Sequence, residues 1–164
     1  MTIWFTADTH FGHANILKHE PQTRPFSSIE EHDAVVIERW NALVKPRDTV
    51  WHLGDVSFSK QGLASVAKLN GIKKLVLGNH DHLATASYLQ FFNKVYGIVG
   101  FKEDTVLSHA PLHLSQLEFR WQVNLHGHTH SIELEDPRYI NVGIDKWNLA
   151  PVSWEEVRQQ VASL

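Results

Sequence analysis

The sequence predicts a single α/β domain over residues 1–164, a four-layer α-β-β-α sandwich in which two mixed sheets face each other with helices outside. Three observations carry that expectation. Five apolar, strand-like runs each stop abruptly in Asp, Asn or His; segments of helical periodicity separate the first three of them; and the second half of the chain turns to short strands at close spacing. No internal linker, repeat or low-complexity stretch divides the chain.

Taken in order, Thr2 to Ala7 is an apolar strand that delivers Asp8-Thr9-His10. Phe11 to Lys18 reads as a short helix-like piece and Pro21 to Pro25 as a loop. Ser28-Ile29-Glu30-Glu31 has the form of a capping box, and Ile29, Val36, Trp40 and Leu43 recur at helical spacing until Pro46 ends the pattern. The next strand ends in Leu53-Gly54-Asp55. A loop over Ser57 to Lys60 leads to a short helix from Gln61 to Leu69, and Asn70-Gly71 turns the chain into the strand Ile72 to Leu77. The order βαβαβ implies neighbouring parallel strands with right-handed crossovers. After Gly78-Asn79-His80-Asp81 a helix is expected over Leu83 to Phe92. Val95 to Phe101 and Thr105 to Ser108 pattern as a hairpin, Pro111 to Trp121 as a loop, and Val123 to His126 and Tyr139 to Val142 as short strands. Ser153-Trp154-Glu155-Glu156 is a second capping box that starts a last helix running to Ala162.

Composition narrows the class. A hydrophobic fraction of 43% and a charged fraction of 20% are those of an ordinary globular protein with a core of its own. The net charge of -3, with no basic block, argues against an extended nucleic-acid groove and for small substrates. Without cysteine there are no disulfides and no thiolate metal sites, and a reducing compartment is allowed. Met1 to Asp8 enters a strand directly, with no basic leader or long apolar segment, so no membrane association and a cytoplasmic location are expected. Composition leaves the oligomeric state open. The twelve histidines are scattered rather than gathered in a tract.

A buried strand that ends in an acid places that acid at the edge of a sheet. Asp55 is so placed, and the runs ending in Asp8-Thr9-His10, Gly78-Asn79-His80-Asp81, Ser108-His109 and His126-Gly127-His128-Thr129-His130 repeat the pattern. Singly, each has a plain structural reading. Asp-x-His is common, a histidine after a strand is often a hydrogen-bonded core residue, and Gly-Asn-His-Asp suits a turn. His128 and His130 are stronger, because alternate residues of an extended segment face one way. The joint occurrence decides, since five strand ends supplying only carboxylate, amide and imidazole are expected to converge on a pair of metal ions with Asp55 between them.

Asp8-Thr9-His10, Gly54-Asp55, Gly78-Asn79-His80-Asp81, His109 and Gly127-His128-Thr129-His130 occur in the order D-x-H, G-D, G-N-H-D/E, H, G-H-x-H. In this the sequence resembles the calcineurin-like metallophosphoesterases over residues 6 to 130. The resemblance implies one metal held by Asp8, His10, Asp55 and His130, and another held by Asp55, Asn79, His109 and His128. Imidazole and oxygen ligands without sulfur suit divalent transition ions, manganese first, with iron, zinc, cobalt or nickel also admitted, better than magnesium or calcium. Two such ions about 3.5–4 Å apart can share a hydroxide and grip a phosphoryl oxygen each, leaving a site charge of about +1 that attracts phosphate anions. His80, next to a metal-bound Asn79, then serves as the general acid for the leaving oxygen. The arginine and second aspartate that follow G-D in the protein phosphatases of this superfamily are missing from Val56-Ser57-Phe58-Ser59-Lys60, which disfavours a protein phosphatase.

Around this set the sequence offers further candidates. Asp81 either orients His80 or caps the following helix. His13 and Asn15 either reach the substrate phosphate or cap the short helix. Arg24 either clamps a phosphate oxygen or forms an exposed salt bridge. His113 is a candidate from the Pro111 loop, and Lys146 and Trp147 are candidates at the rim, where Trp147 could stack a base. His52 and His126 read as core or supporting histidines, and His19 and His32 as solvent-facing. The function expected is hydrolysis of a small phosphoester, with a phosphodiester such as a cyclic nucleotide or short nucleotide diester favoured. A phosphomonoesterase is the nearest rival, and a non-catalytic scaffold of the same fold is the reading from another class.

Overall fold

The computed structural model describes residues 1–161. The first sheet begins with β1 (Ile3–Thr6), which leads through the one-turn α1 (Ile16–His19) to the long helix α2 (Ile29–Leu43) and back to β2 (Thr49–His52). A single turn α3 (Lys60–Leu63), continued by a 3-10 turn at Ala64–Lys68, returns the chain to β3 (Ile72–Val76), and α4 (Thr85–Tyr88) leads to β4 (Lys94–Tyr96). These four strands lie parallel and adjacent, in the order implied by the βαβαβ reading. Side-by-side register puts Thr6 opposite His52 and His52 opposite Leu75, so the three strand tips end level.

The expected hairpin from Val95 is resolved differently. Its first part, β4, completes the first sheet, whereas β5 (Val99–Gly100) opens the second by pairing antiparallel with β6 (Thr105–Leu107). The chain changes sheets across Gly97-Ile98, a step that continuous apolar patterning hides. The second sheet continues with β7 (Val123–His126) and β8 (Tyr139–Asn141), parallel to β6. Between β6 and β7 the expected loop contains a one-turn helix, α5 (Gln116–Phe119). An element absent from the sequence reading, β9 (Val152–Ser153), closes the other edge of the first sheet antiparallel to β1. The last helix, α6 (Trp154–Val161), starts as predicted; the expectation that it reaches Ala162 lies outside the described residues. No helix among the described residues is long and apolar enough to cross a membrane.

Two cores result. Trp40, Val36 and Val44 of the α2 region pack with Val50, Leu75, Tyr88 and Phe92 on one face of the first sheet. Phe5, Trp51, Val76, Leu107, Leu125 and Ile140 fill the space between the sheets. Because side chains alternate along a strand, Asn124 of β7 points away from that inter-sheet core, and there it binds the Leu112 N–H at 2.8 Å while the Tyr139 hydroxyl donates to the Leu112 carbonyl at 2.7 Å. The 110–121 segment thus covers the outer face of the second sheet, giving the predicted four layers.

The caps follow the sequence. Ser153 accepts from the Glu156 N–H at 3.2 Å while Glu156 accepts from the Ser153 N–H at 2.9 Å, a full capping box. At α2 only half of it forms: Ser28 accepts from Glu31 N–H, but the Glu31 carboxylate takes the Ser27 N–H instead. On α2, Leu43 is exposed rather than on the core face. His32, expected in solvent, is fully buried there, between Arg24 and Asp33.

Candidate metal centre

The chain bends sharply just past β1, β2 and β7, where residues of the site follow. Asp8, His10, Asp55, His128 and His130 all have left-handed backbone, with φ from 49° to 68°. Left-handed torsions are uncommon outside glycine and cluster at functional sites. The bends are possible because glycines let the tips meet: a Cβ on Gly54 would lie 2.5 Å from the Gly78 N, and one on Gly78 would lie 2.2 Å from Asp55 Oδ1.

Asp81 ties these two tips. Its carboxylate accepts the N–H groups of Asp55 and Gly78, each at 2.8 Å, and of Val56 at 3.0 Å. It therefore neither orients His80 nor caps α4; the acid of the Gly-Asn-His-Asp motif is a splint between β2 and β3. His52 supports the neighbouring pair of tips. Its Nδ1 accepts the Gly54 N–H at 3.2 Å, and its Nε2 meets the Thr9 hydroxyl at 2.9 Å, which in turn donates to the Val56 carbonyl. Burial holds the His52 pKa down to about 3, in keeping with a neutral ring.

The tips bring two groups of side chains together. Ligand-type atoms of Asp8, His10 and His130 lie within 4.8 Å of one another, as do those of Asp55, His109 and His128. Asp55 Oδ2 stands between the groups, 3.7 Å from His10 Nε2 and 3.3 Å from His109 Nε2. Asn79 joins the second group, its Oδ1 2.8 Å from His109 Nε2 and 2.9 Å from His128 Nδ1. The His128 N–H donates to both Asp8 carboxylate oxygens at 2.9 and 3.1 Å, and the His80 N–H to Asp55 Oδ1 at 2.9 Å. All seven residues marked as ligands by sequence thus share one place.

The electrostatics are those of a cation site. His10 is buried with neither ring nitrogen hydrogen-bonded, which leaves at least one N–H without an acceptor. Burial, with Arg24 nearby, holds its pKa well below the usual value. His109 gives its Nδ1 side to the Leu53 carbonyl at 2.7 Å, so its Nε2 lone pair faces oxygens of Asn79 and Asp55. Burial pushes the Asp8 carboxyl up to about 6. Burial acts the same way on Asp55, but hydrogen bonding and charge from His109 reverse it and hold that carboxyl well below the usual range. Converging imidazole nitrogens and carboxylate oxygens, with an orphaned buried ring among them, fit a pair of divalent transition ions.

One buried network, missed by sequence reasoning, braces the first group. Asp145, on a 3-10 turn at Ile144–Lys146, accepts from His130 Nδ1 at 2.9 Å, from the Thr23 hydroxyl at 2.6 Å and from Arg24 at 2.6 and 2.8 Å. Arg24 is fully buried and also donates to the Asp8 carbonyl at 2.7 Å. It is neither a phosphate clamp nor an exposed salt bridge, because its guanidinium is turned inward. The signal for Asp145 was present: Val142-Gly143-Ile144-Asp145 repeats the strand, glycine and acid order of Leu53-Gly54-Asp55, and Gly143 bridges to Ala7 beside the β1 tip.

The remaining candidates divide. His13 and His80 flank Phe58, their ring centroids 4.1 and 4.4 Å from it, and His80 lies 6.0 Å from His10. His13 Nδ1 is buried without a partner. Asn15 is exposed at the N-terminus of α1 and its side chain makes no cap bond. His113 is exposed and held by Ser115 at 2.9 Å. Lys146 pairs with Glu133, and the Trp147 indole donates to the Asn141 carbonyl at 2.9 Å and packs into the inter-sheet core. Both line clefts that contain none of the seven convergent residues, so Trp147 is no stacking platform at the site rim.

Fold and site together define an α/β sandwich protein with a paired histidine and carboxylate centre at its strand tips. No family model matches the chain. The gene 66 protein of Mycobacterium phage L5 is 32% identical, the alignment covering 88% of this chain and 86% of that protein. The uncharacterized protein MJ1445 of Methanocaldococcus jannaschii is 33% identical over 92% and 86% of the two chains. Among solved structures, a protein of unknown function, AQ665 of Aquifex aeolicus, matches with a TM-score of 0.76 and 26% identity over 96% of this chain and 98% of its own. The chain belongs to the family of the phage gene 66 protein and MJ1445.

Proposed function

We propose that the protein is a calcineurin-like phosphoesterase that uses two divalent transition ions, manganese first among them, to hydrolyse a small phosphodiester of the nucleotide kind. The observation that carries this reading is the position of Asp55 Oδ2 between His10 and His109, with the other ligand-type atoms grouped on either side. Asp8, His10, Asp55 and His130 would hold one ion, and Asp55, Asn79, His109 and His128 the other. When bound, such a pair supplies Lewis acidity toward phosphoryl oxygens and activation of water.

The protein's own groups do the rest. The Leu53 carbonyl and Asp145 fix the Nδ1 sides of His109 and His130, which leaves each Nε2 free as a ligand. Water, losing one proton to solvent, forms the new bond from its oxygen to phosphorus, the ester P–O bond breaks, and the departing alkoxide takes its proton from protonated His80, which then regains one from solvent. A diester carries one negative charge, matching a site of about +1, and Arg24, the basic residue beside Asp8, is turned away toward Asp145.

The test is metal analysis together with hydrolysis of bis(4-nitrophenyl) phosphate and 4-nitrophenyl phosphate in the presence of manganese. About two ions per chain and faster diester turnover are expected. Faster monoester turnover overturns the diester preference, and no turnover of either ester overturns the enzyme reading in favour of a scaffold. Separately, Asp145→Asn is expected to weaken metal binding about 10–100-fold, read by titrating the metal-free protein.

A further inference from the structure

The step from the first sheet to the second, between Tyr96 and Val99, leaves Ile98 56% exposed. Ile98 is not isolated on the surface. With Leu77, Ala110 and Leu112 it lines an open cavity of about 370 Å³ that is also lined by Asn79, His109 and His128. None of the lining residues is Lys, Arg, Asp or Glu. Gly97 adds to the opening, since a Cβ there would meet nothing within 4 Å.

We propose that this cavity is the subsite for the arm of the phosphodiester that stays on phosphorus, and that it takes an uncharged apolar group such as an aryl ring. The proposal rests on the diesterase reading above. Three features support it: its position, its lining together with its size, and its relation to the proton donor. The cavity is continuous with the second metal group through Asn79, His109 and His128, so whatever lies in it is within reach of a phosphoryl group held there. Its polarity selects the occupant. Away from the second metal group it offers no cationic side chain to a further phosphate or carboxylate, whereas an apolar group removes Ile98 and Leu112 from solvent. The size falls within the roughly 300–1,000 Å³ of small-molecule sites.

The third feature is the location of the proton donor. His80 does not line this cavity; its ring lies against Phe58 at 4.4 Å and near His10 at 6.0 Å, on the side of the first group. The leaving arm departs toward His80, and the retained arm extends the other way, over Asn79 and His109. Ile98 is the exposed large apolar side chain of this wall. Its place at the sheet change gives it a role that no ligand motif encodes.

The experiment compares two diesters with the same leaving group, phenyl 4-nitrophenyl phosphate and methyl 4-nitrophenyl phosphate, using the manganese-loaded full chain. The wild type is expected to favour the phenyl arm by about tenfold or more in kcat/KM. In Ile98→Asp that preference is expected to fall close to one, mainly through a higher KM for the phenyl ester. Ile98→Ala, which adds no charge, should give an intermediate ratio and covers the case in which the aspartate variant fails to fold, as judged by its thermal melt. Phe119→Asp, at an exposed position on α5, should keep the wild-type ratio. A wild-type ratio near one, or a preference that survives both Ile98 variants, overturns the subsite while leaving the diesterase reading intact. Failure to cleave either diester overturns that reading, and the subsite with it.

Discussion

His80→Ala is expected to reduce diester turnover by about 10²–10⁴-fold while the protein keeps its metal, and Asp55→Asn to lose both turnover and metal. The difference follows from what each side chain touches. His80 contributes to the ligand shell only through its backbone, whose N–H holds Asp55 Oδ1 at 2.9 Å, and alanine preserves that bond. Its ring rests on Phe58, which is 39% exposed, so truncation leaves no buried void. Asp55 is 1% exposed and stands between the two groups, so an amide there removes the charge that both ions would share. The check is metal content by elemental analysis alongside the pH dependence of kcat. If His80→Ala lost metal, or if turnover of a diester with a good leaving group fell as far as that of one with a poor leaving group, proton donation would be the wrong role.

Arg24→Ala is expected to destabilise the fold by about 3–5 kcal/mol, the usual consequence of removing one partner from a buried ion pair. Burial by itself would push the Asp145 carboxyl up; hydrogen bonds from Arg24 and His130, together with the arginine charge, reverse this and hold it well below the usual carboxylate range. A carboxyl with a depressed folded-state pKa contributes stability above its unfolded pKa of about 3.9 and loses that contribution as pH falls through the folded value, so the full effect is present at neutral pH. Without Arg24, Asp145 keeps its charge in a fully buried place, and the Asp8 carbonyl loses a donor at 2.7 Å. Urea denaturation at pH 7 measures the loss. The double variant Arg24→Met, Asp145→Leu should be closer to wild type than Arg24→Ala, because it removes both charges and fills the space. A double variant as unstable as the single one would show that the hydrogen bonds to Asp8 and His130, rather than the ion pair, dominate.

Much of the candidate ligand set was legible because strand tips write a simple pattern: apolar run, then acid, amide or imidazole. Asp8, Asp55, Asn79 and His109 follow it directly, and the first sheet places the first three together because β1, β2 and β3 end in register. Supporting groups were harder to read. Asp81 looked like a partner for His80 because it is close in sequence, yet its acceptors serve backbone N–H groups of another strand tip, 25 and 26 residues away. Arg24 and His32 looked like surface residues because their types usually are. Only the tertiary position of Asp145, more than a hundred residues along the chain, makes a buried guanidinium tolerable. The hairpin expected from Val95 forms only in its second half, Val99–Gly100 against β6, since a change of sheet leaves no mark on the periodicity of the residues that make it.

The left-handed backbone at five positions of the candidate centre has a consequence for engineering. Each such residue carries a conformational penalty of order 1–3 kcal/mol, yet glycine is no remedy at Asp8 or Asp55, whose carboxylates accept the His128 and His80 N–H groups, so a more robust variant has to be sought elsewhere in the chain.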